Sequence, residues 1–256
     1  MILFPHEKIE IDEKGLAELD RRMKEIYRTI IFNRNYSADE LLDTFIQHSN
    51  SLTEMLSIKN AQMEAQNEEE VALYLRDLNL AINSVMLELS KNVNFTSLSQ
   101  FFHLFRIISP DTHSRHPNRF RERLVQIGSY VCPDPAFVSG LMEELFHTLP
   151  QIKHPVTRAI YFHHEAIRIH PFIDGNGRTV RIAKNWILMY EMYPPIFIRD
   201  EQEKQQYIST LGWSFEALNK DPFNFSEPLE AFFDQELNRL IDSADIILSR
   251  INEVGK

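Results

Sequence analysis

The 256-residue sequence predicts an all-α fold, a helical bundle carrying one small β-hairpin. Three observations lead there. Apolar residues recur at steps of three and four along most of the chain, the spacing of a helix face. One stretch, LVQIGSYV, is β-branched and aromatic enough to read as strands, and Gly128 interrupts it. Start and stop signals then cut the remainder into pieces of helix length.

Leu16, Leu19, Met23, Ile26 and Ile30 place the first helix. Ser37 with Glu40 forms a capping box ahead of Leu41, Leu42 and Phe45, predicting a second helix from Asp39 to about Ile58. Glu68, Glu69 and Glu70 suit the positive end of a third, whose stripe is Val71, Leu75, Leu78, Ile82, Val85 and Leu89. A fourth begins near Thr96, carries Leu98, Phe101, Phe102 and Phe105, and stops at Ser109-Pro110. The polar, basic run DTHSRHPNRFRERL reads as a loop leading to the hairpin. Pro133 and Pro135 end the extended run, and Pro135 opens a helix with Phe137, Leu141 and Leu145. Pro155 opens the next, TRAIYFHHEAIRI, and the loop HPFIDGNGR follows it. Val180, Ala183, Ile187 and Leu188 mark a helix that stops before Pro194-Pro195. Two more are expected, from about Asp200 to Leu218 and from Glu227 to Ile251. The expected organisation is an N-terminal helical segment over 1–95, a core over 96–218 and a C-terminal helix over 219–256.

A hydrophobic content of 43% fills a core, which excludes wholesale disorder. Lys plus Arg number 27 against 37 Asp plus Glu, a net charge of −10. Binding nucleic acid irrespective of sequence needs cations to displace counterions from phosphates, so no nucleic-acid partner is expected. One small polyphosphate in a local basic pocket remains open. Cys132 is the only cysteine, which rules out an intrachain disulfide and a thiolate cluster, and it reads as a small buried hydrophobe. The opening MILFPHEKIE meets charge too early for a signal peptide. No segment approaches the roughly 20 apolar residues that span a bilayer. A cytoplasmic protein with no membrane partner is expected.

The chemistry concentrates in one loop. Two of the seven glycines, Gly175 and Gly177, fall together in DGNGR, just ahead of a helix. Glycine permits positive φ and close approach to a ligand, and free amides at a helix start favour an anion. The helix dipole supplies only about 0.3–1 kcal/mol at an exposed site, so full charges are needed too. Arg178 and Arg181 share a face in the first turn and offer guanidinium forks suited to phosphate oxygens. Asp174 is acidic beside this basic cradle. It suits a hard Mg²⁺ ion shared with phosphates, and it equally suits helix capping. His170 stands off the helix before Pro171, and an imidazole with pKa near 6.5 can accept a proton. Asn176 can donate to an oxyanion, and Phe172 reads as an apolar anchor for the loop.

The complete string HPFIDGNGRTVR, His170 to Arg181, resembles the Fic-family signature H-P-F-x-D/E-G-N-G-R-x-x-R at every defined position. The resemblance runs from about Thr96 to about Leu218. FRERLVQIGSYVCPDPAFVSGLMEEL is similar to the family's flap hairpin and the helix after it, and HPVTRAIYFHHEAIRI to the helix before the loop. The resemblance implies a Fic fold and transfer of AMP from ATP to a Ser, Thr or Tyr hydroxyl of a target protein, releasing pyrophosphate. It implies that His170 deprotonates the hydroxyl and that Asp174 holds Mg²⁺. Gly175, Asn176, Gly177, Arg178 and Arg181 would bind the phosphates. The flap, Val125, Gln126, Ile127 and Gly128, would register the target segment by adding it as a strand.

The family also implies an inhibitory helix, S/T-x-x-x-E-G/N, whose Glu pairs with the second motif arginine, here Arg181. HSNSLTEML places that Glu at Glu54, with Asn50 and Met55 departing from the pattern at its ends. Three other readings stand beside AMP transfer. His154, His163, His164, His170 and Asp174 form a ligand set for a metal-dependent phosphohydrolase. A Fic enzyme can use another nucleotide donor or remove AMP. A catalytically quiet binding module would carry the same helices. The Phe-rich helices leave room for a homo-oligomer interface.

Overall fold

The computed structural model describes residues 2–34, 44–50, 53, 59 and 61–254. Helix α1 spans Glu13–Arg34 and buries Leu19, Met23, Ile26 and Ile30 along the predicted face. Ser37, Glu40, Leu41 and Leu42 lie outside the described residues. Residues 44–50, 53, 59 and 61–64 are helical, so helical backbone reaches beyond the end expected near Ile58. Helix α2 (Glu68–Ser90) is capped by Asn67, whose side chain accepts from the Glu70 N–H at 2.9 Å. Helix α3 (Leu98–Ile108) begins at a capping box made by Ser97 and Gln100.

Pro110 does more than stop α3. It opens a short helix α4 (Pro110–Arg115) inside the run that reads as a loop. Proline has no N–H to leave unsatisfied, and its fixed φ suits the first helical position. The hairpin forms where expected, β1 (Gln126–Ile127) antiparallel to β2 (Tyr130–Val131), with Gln126 opposite Val131. Gly128 adopts φ 57°, as a two-residue turn with glycine at its first position requires.

Five helices complete the chain: α5 (Pro135–Thr148), α6 (Pro155–Ile169), α7 (Asn176–Tyr190), α8 (Glu201–Lys220) and α9 (Glu227–Val254). α6 packs on α7, α1 on α9, and α9 on α8. The aromatic centre joins Phe95, Phe101, Phe146, Phe162 and Trp186. Cys132 is buried, and burial pushes its thiol up to about 11, consistent with a packing role. Among the described residues no helix is long and apolar enough to cross a membrane.

α6 is buried on nearly every side, including His163, His164, Glu165 and Arg168. Buried charges persist only when paired. Burial pushes the Glu165 carboxyl up, but Arg168 and His164 win and hold it down at about 2. Its Oε2 also accepts the Phe4 N–H at 3.3 Å, and Arg168 donates to the Ile2 carbonyl at 2.8 Å. The N-terminal segment is thereby tied to α6. A second group centres on Glu236 of α9. Glu236 accepts from Lys184 at 2.6 Å and from Arg239 at 2.7 Å, and lies 3.1 Å from His163. The other ring nitrogen of His163 meets the Tyr207 hydroxyl at 2.9 Å. This chain locks α6, α7, α8 and α9 together and fixes the Tyr207 ring.

Candidate active site

α6 ends at Ile169, and His170 is its C-cap at φ 52°, ψ 63°. A left-handed conformation at a residue other than glycine costs of order 1–3 kcal/mol, so the surroundings must impose it. Phe172 anchors the loop as expected. It is 1% exposed and stacks on Phe105 with ring centroids 3.6 Å apart. Asn176 staples it from the other side: its Oδ1 accepts the Phe172 N–H and its Nδ2 donates to the Phe172 carbonyl, both at 2.8 Å. The Asn176 carboxamide is thus engaged in holding loop backbone.

Gly175 caps α7 at φ 80°. A Cβ there would stand 2.8 Å from the Ser109 Cβ, so only glycine fits. No side chain caps α7 at Gly175, and its opening amides border the cavity. Asp174 therefore does not act as the cap. Its Oδ2 lies 3.3 Å from Ser109 Oγ and 3.4 Å from Arg178 Nη2, and its side chain is 63% exposed.

Arg178 is buried. It donates to the Ile108 carbonyl at 3.1 Å and lies over the Tyr74 ring at 3.9 Å. Arg181 is ion-paired and hydrogen-bonded to Glu64, whose second oxygen is 4.0 Å from Arg178 Nε. Both motif arginines converge on one carboxylate. Glu54 lies outside the described residues, so the carboxylate seen at Arg181 belongs to Glu64.

These groups line a cavity of about 400 Å³. It is lined by His170, Asp174 and the start of α7 together with Glu64 and Tyr74. α8 contributes Lys204, Tyr207 and Ile208. Lys204 also donates to the Met63 carbonyl, beside Glu64. The sequence reading did not single out Glu64, Tyr74, Lys204 or Tyr207. Burial pushes the His170 imidazole down to about 4, helped by Arg121 and opposed by the Ile167 carbonyl and Asp174. At neutral pH it is uncharged and able to accept a proton.

The histidine-rich ligand set is not assembled. His163 bonds Tyr207 and Glu236, His164 bonds Ser214 and Glu165, and His154 caps α6. Among the described residues no group of three His, Cys, Asp or Glu is placed to hold a metal. In the hairpin, Val125 accepts the Cys132 N–H at 3.1 Å, Gln126 and Gly128 are exposed, and Ile127 is half-buried. Ser129 donates to Glu216 at 2.7 Å, tying the hairpin to α8.

Residues 95–188 match the model of the Fic/DOC family. The chain is 29% identical over 195 residues to a Protein adenylyltransferase Fic of Drosophila grimshawi, covering 75% of this chain and 39% of that protein. It is 26% identical over 247 residues to a protein of the same name from Nematostella vectensis, covering 91% of this chain and 54% of the relative. The chain thus spans roughly two fifths to half the length of these relatives. Among solved structures, a Fic domain containing signalling protein from Bacteroides thetaiotaomicron aligns at TM-score 0.66 and 18% identity, covering 91% of this chain and 98% of that one. At that identity the likeness is one of fold.

Proposed function

From the match of residues 95–188 to the Fic/DOC family we propose that the protein is a protein adenylyltransferase: it moves AMP from ATP to a Ser, Thr or Tyr hydroxyl of a target protein. The observation that carries this reading is the cavity itself. One neutral imidazole, an uncapped helix start and two arginines share it. The target oxygen attacks the α-phosphorus, and its proton passes to the His170 imidazole. The bond from the α-phosphorus to the bridging oxygen breaks, and pyrophosphate leaves with that electron pair. The opening amides of α7 and the guanidinium of Arg178 face the charge that develops, and preorganised donors of this kind supply much of an enzyme's rate. Arg181 holds the outer phosphates. Tyr207 and Ile208 offer the apolar wall that suits a nucleobase.

Asp174 is the one loop carboxylate at the cavity, and both its polar contacts fall on Oδ2. That leaves Oδ1 for a hard cation, and a lone carboxylate fits Mg²⁺, which binds through one protein ligand plus phosphate oxygens and water. The ion would supply charge neutralisation at the phosphates. A reducing compartment such as the cytoplasm fits a chain whose single thiol is buried.

Glu64 is the brake in this reading. It occupies Arg181 and sets a carboxylate where outer phosphates would sit. A charge pair at about 4 Å and effective dielectric near 20 is worth roughly 4 kcal/mol before desolvation. Glu64→Gly is expected to raise transfer at least tenfold, with Glu54→Gly as the comparison. Mass spectrometry of the labelled protein checks it. An AMP adduct on a hydroxyl residue, stronger in Glu64→Gly, supports the reading; equal labelling of Glu64→Gly and parent at saturating ATP removes the brake.

A further inference from the structure

We propose that Arg121 is a positioning residue that fixes the base of the hairpin against the backbone of His170, so that a segment docked on the hairpin meets the imidazole at a set distance. The inference rests on the reading of the hairpin as the target dock.

Arg121 is 3% exposed, and every hydrogen bond of its guanidinium goes to main chain. Nε donates to the His170 carbonyl at 2.8 Å, and Nη2 to the Ile169 carbonyl at 3.2 Å. These carbonyls lie at the end of α6, where helix geometry leaves them without an intrahelical donor. A cation there also faces the negative end of the helix dipole. The same guanidinium donates to the Arg123 carbonyl at 2.7 Å and to the Pro133 carbonyl at 2.6 Å. Arg123 precedes β1 and Pro133 follows β2, so these two bonds hold the two legs of the hairpin. The Arg121 N–H adds a bond to the Pro171 carbonyl at 2.8 Å.

One planar group therefore spans two bodies that the reaction must bring into register. The imidazole rides on the end of α6, and the target hydroxyl would ride on the hairpin. An error of about 1 Å between such partners costs on the order of 100-fold in rate. A lysine keeps the charge, but its three donors radiate from a single atom and cannot bridge four carbonyls in a plane. None of the groups assigned to ATP is bonded to Arg121, so nucleotide binding is independent of the clamp.

The test compares Arg121→Lys and Arg121→Met in the Glu64→Gly background, with thermal melting as the check on folding. Both are expected to lower kcat for transfer to the protein hydroxyl at least tenfold, with KM for ATP within twofold of the parent. Hydrogen exchange is expected to accelerate at 125–132 together with 169–172, leaving the rest of α6 as protected as before. If Arg121→Met does not fold, Arg121→Lys carries the comparison. A folded Arg121→Lys with parental kcat, or a KM for ATP that rises in step with the loss of rate, overturns the proposal. Should the Glu64→Gly parent transfer no AMP, the functional reading fails by itself. The exchange data still decide whether Arg121 couples hairpin to loop, and unchanged protection at 125–132 refutes the clamp.

Discussion

His170 sits in a pocket that disfavours its own charged form. Burial is the main cause of a pKa near 4. A bound triphosphate reverses part of that, because negative charge nearby favours imidazolium. Titration of the imidazole by NMR is therefore expected to give a midpoint near 4 in free Glu64→Gly protein and a higher one with a non-hydrolysable ATP analogue bound. Equal midpoints would mean that the phosphates do not lie beside the imidazole. Much of this residue-scale geometry is legible in the sequence. The glycine pair in DGNGR stands out in a glycine-poor chain, and His170, Asp174, Arg178 and Arg181 all line the cavity. Asn176 was legible as important, although its carboxamide turns out to staple Phe172. Glu64 was not legible, for a specific reason. The window from Asn60 to Ala65 departs from the inhibitory pattern at the same two positions as the window from Asn50 to Met55. Only tertiary packing selects the carboxylate that reaches Arg181.

At the scale of elements, caps and prolines placed most helices. Pro135, Pro155 and Asp200 mark their starts as read. In sequence Pro110 reads only as a stop, because the basic run after it has no apolar stripe, yet local backbone preference is enough for a helix of six residues. α6 defeats amphipathic reading more deeply, since it is buried all round and its polar residues answer to distant partners. Glu236 is the centre of one such set. Replacing it by leucine leaves Lys184 and Arg239 buried without their shared carboxylate. Removal of one member of a buried ionic group costs roughly 3–5 kcal/mol. Urea unfolding of Glu236→Leu is expected to show a loss of that size, and a loss under 1 kcal/mol would show that the network is not holding α9. Because Tyr207 hangs on His163, the same variant should also weaken nucleotide binding.

For the whole molecule, an excess of ten negative charges coexists with a cavity bordered by Arg178, Arg181 and Lys204. These cations are gathered at one cavity, which suits the proposed single polyphosphate. Acid sensitivity is also a property of the whole fold. His163 is held near 3 and His170 near 4, both chiefly by burial, below the ordinary value of about 6.5. The unfolded chain binds more protons than the folded one between those limits, so stability is full above about pH 6.5 and falls as pH drops toward 4. Glu165, held near 2, and Glu236, held well below its usual range, push the same way at lower pH. Melting temperature is expected to fall steadily from pH 7 to pH 4; a flat profile would contradict the burial of neutral imidazoles.

The central claim is that this cavity directs a hydroxyl to the α-phosphorus of ATP with His170 as the base. Incubation of Glu64→Gly protein with α-labelled and γ-labelled ATP in parallel, with His170→Ala beside it, tests that claim most directly. Label on protein from the α position alone, lost in His170→Ala, is the predicted result. Label from the γ position, or α label that survives the loss of His170, would contradict it.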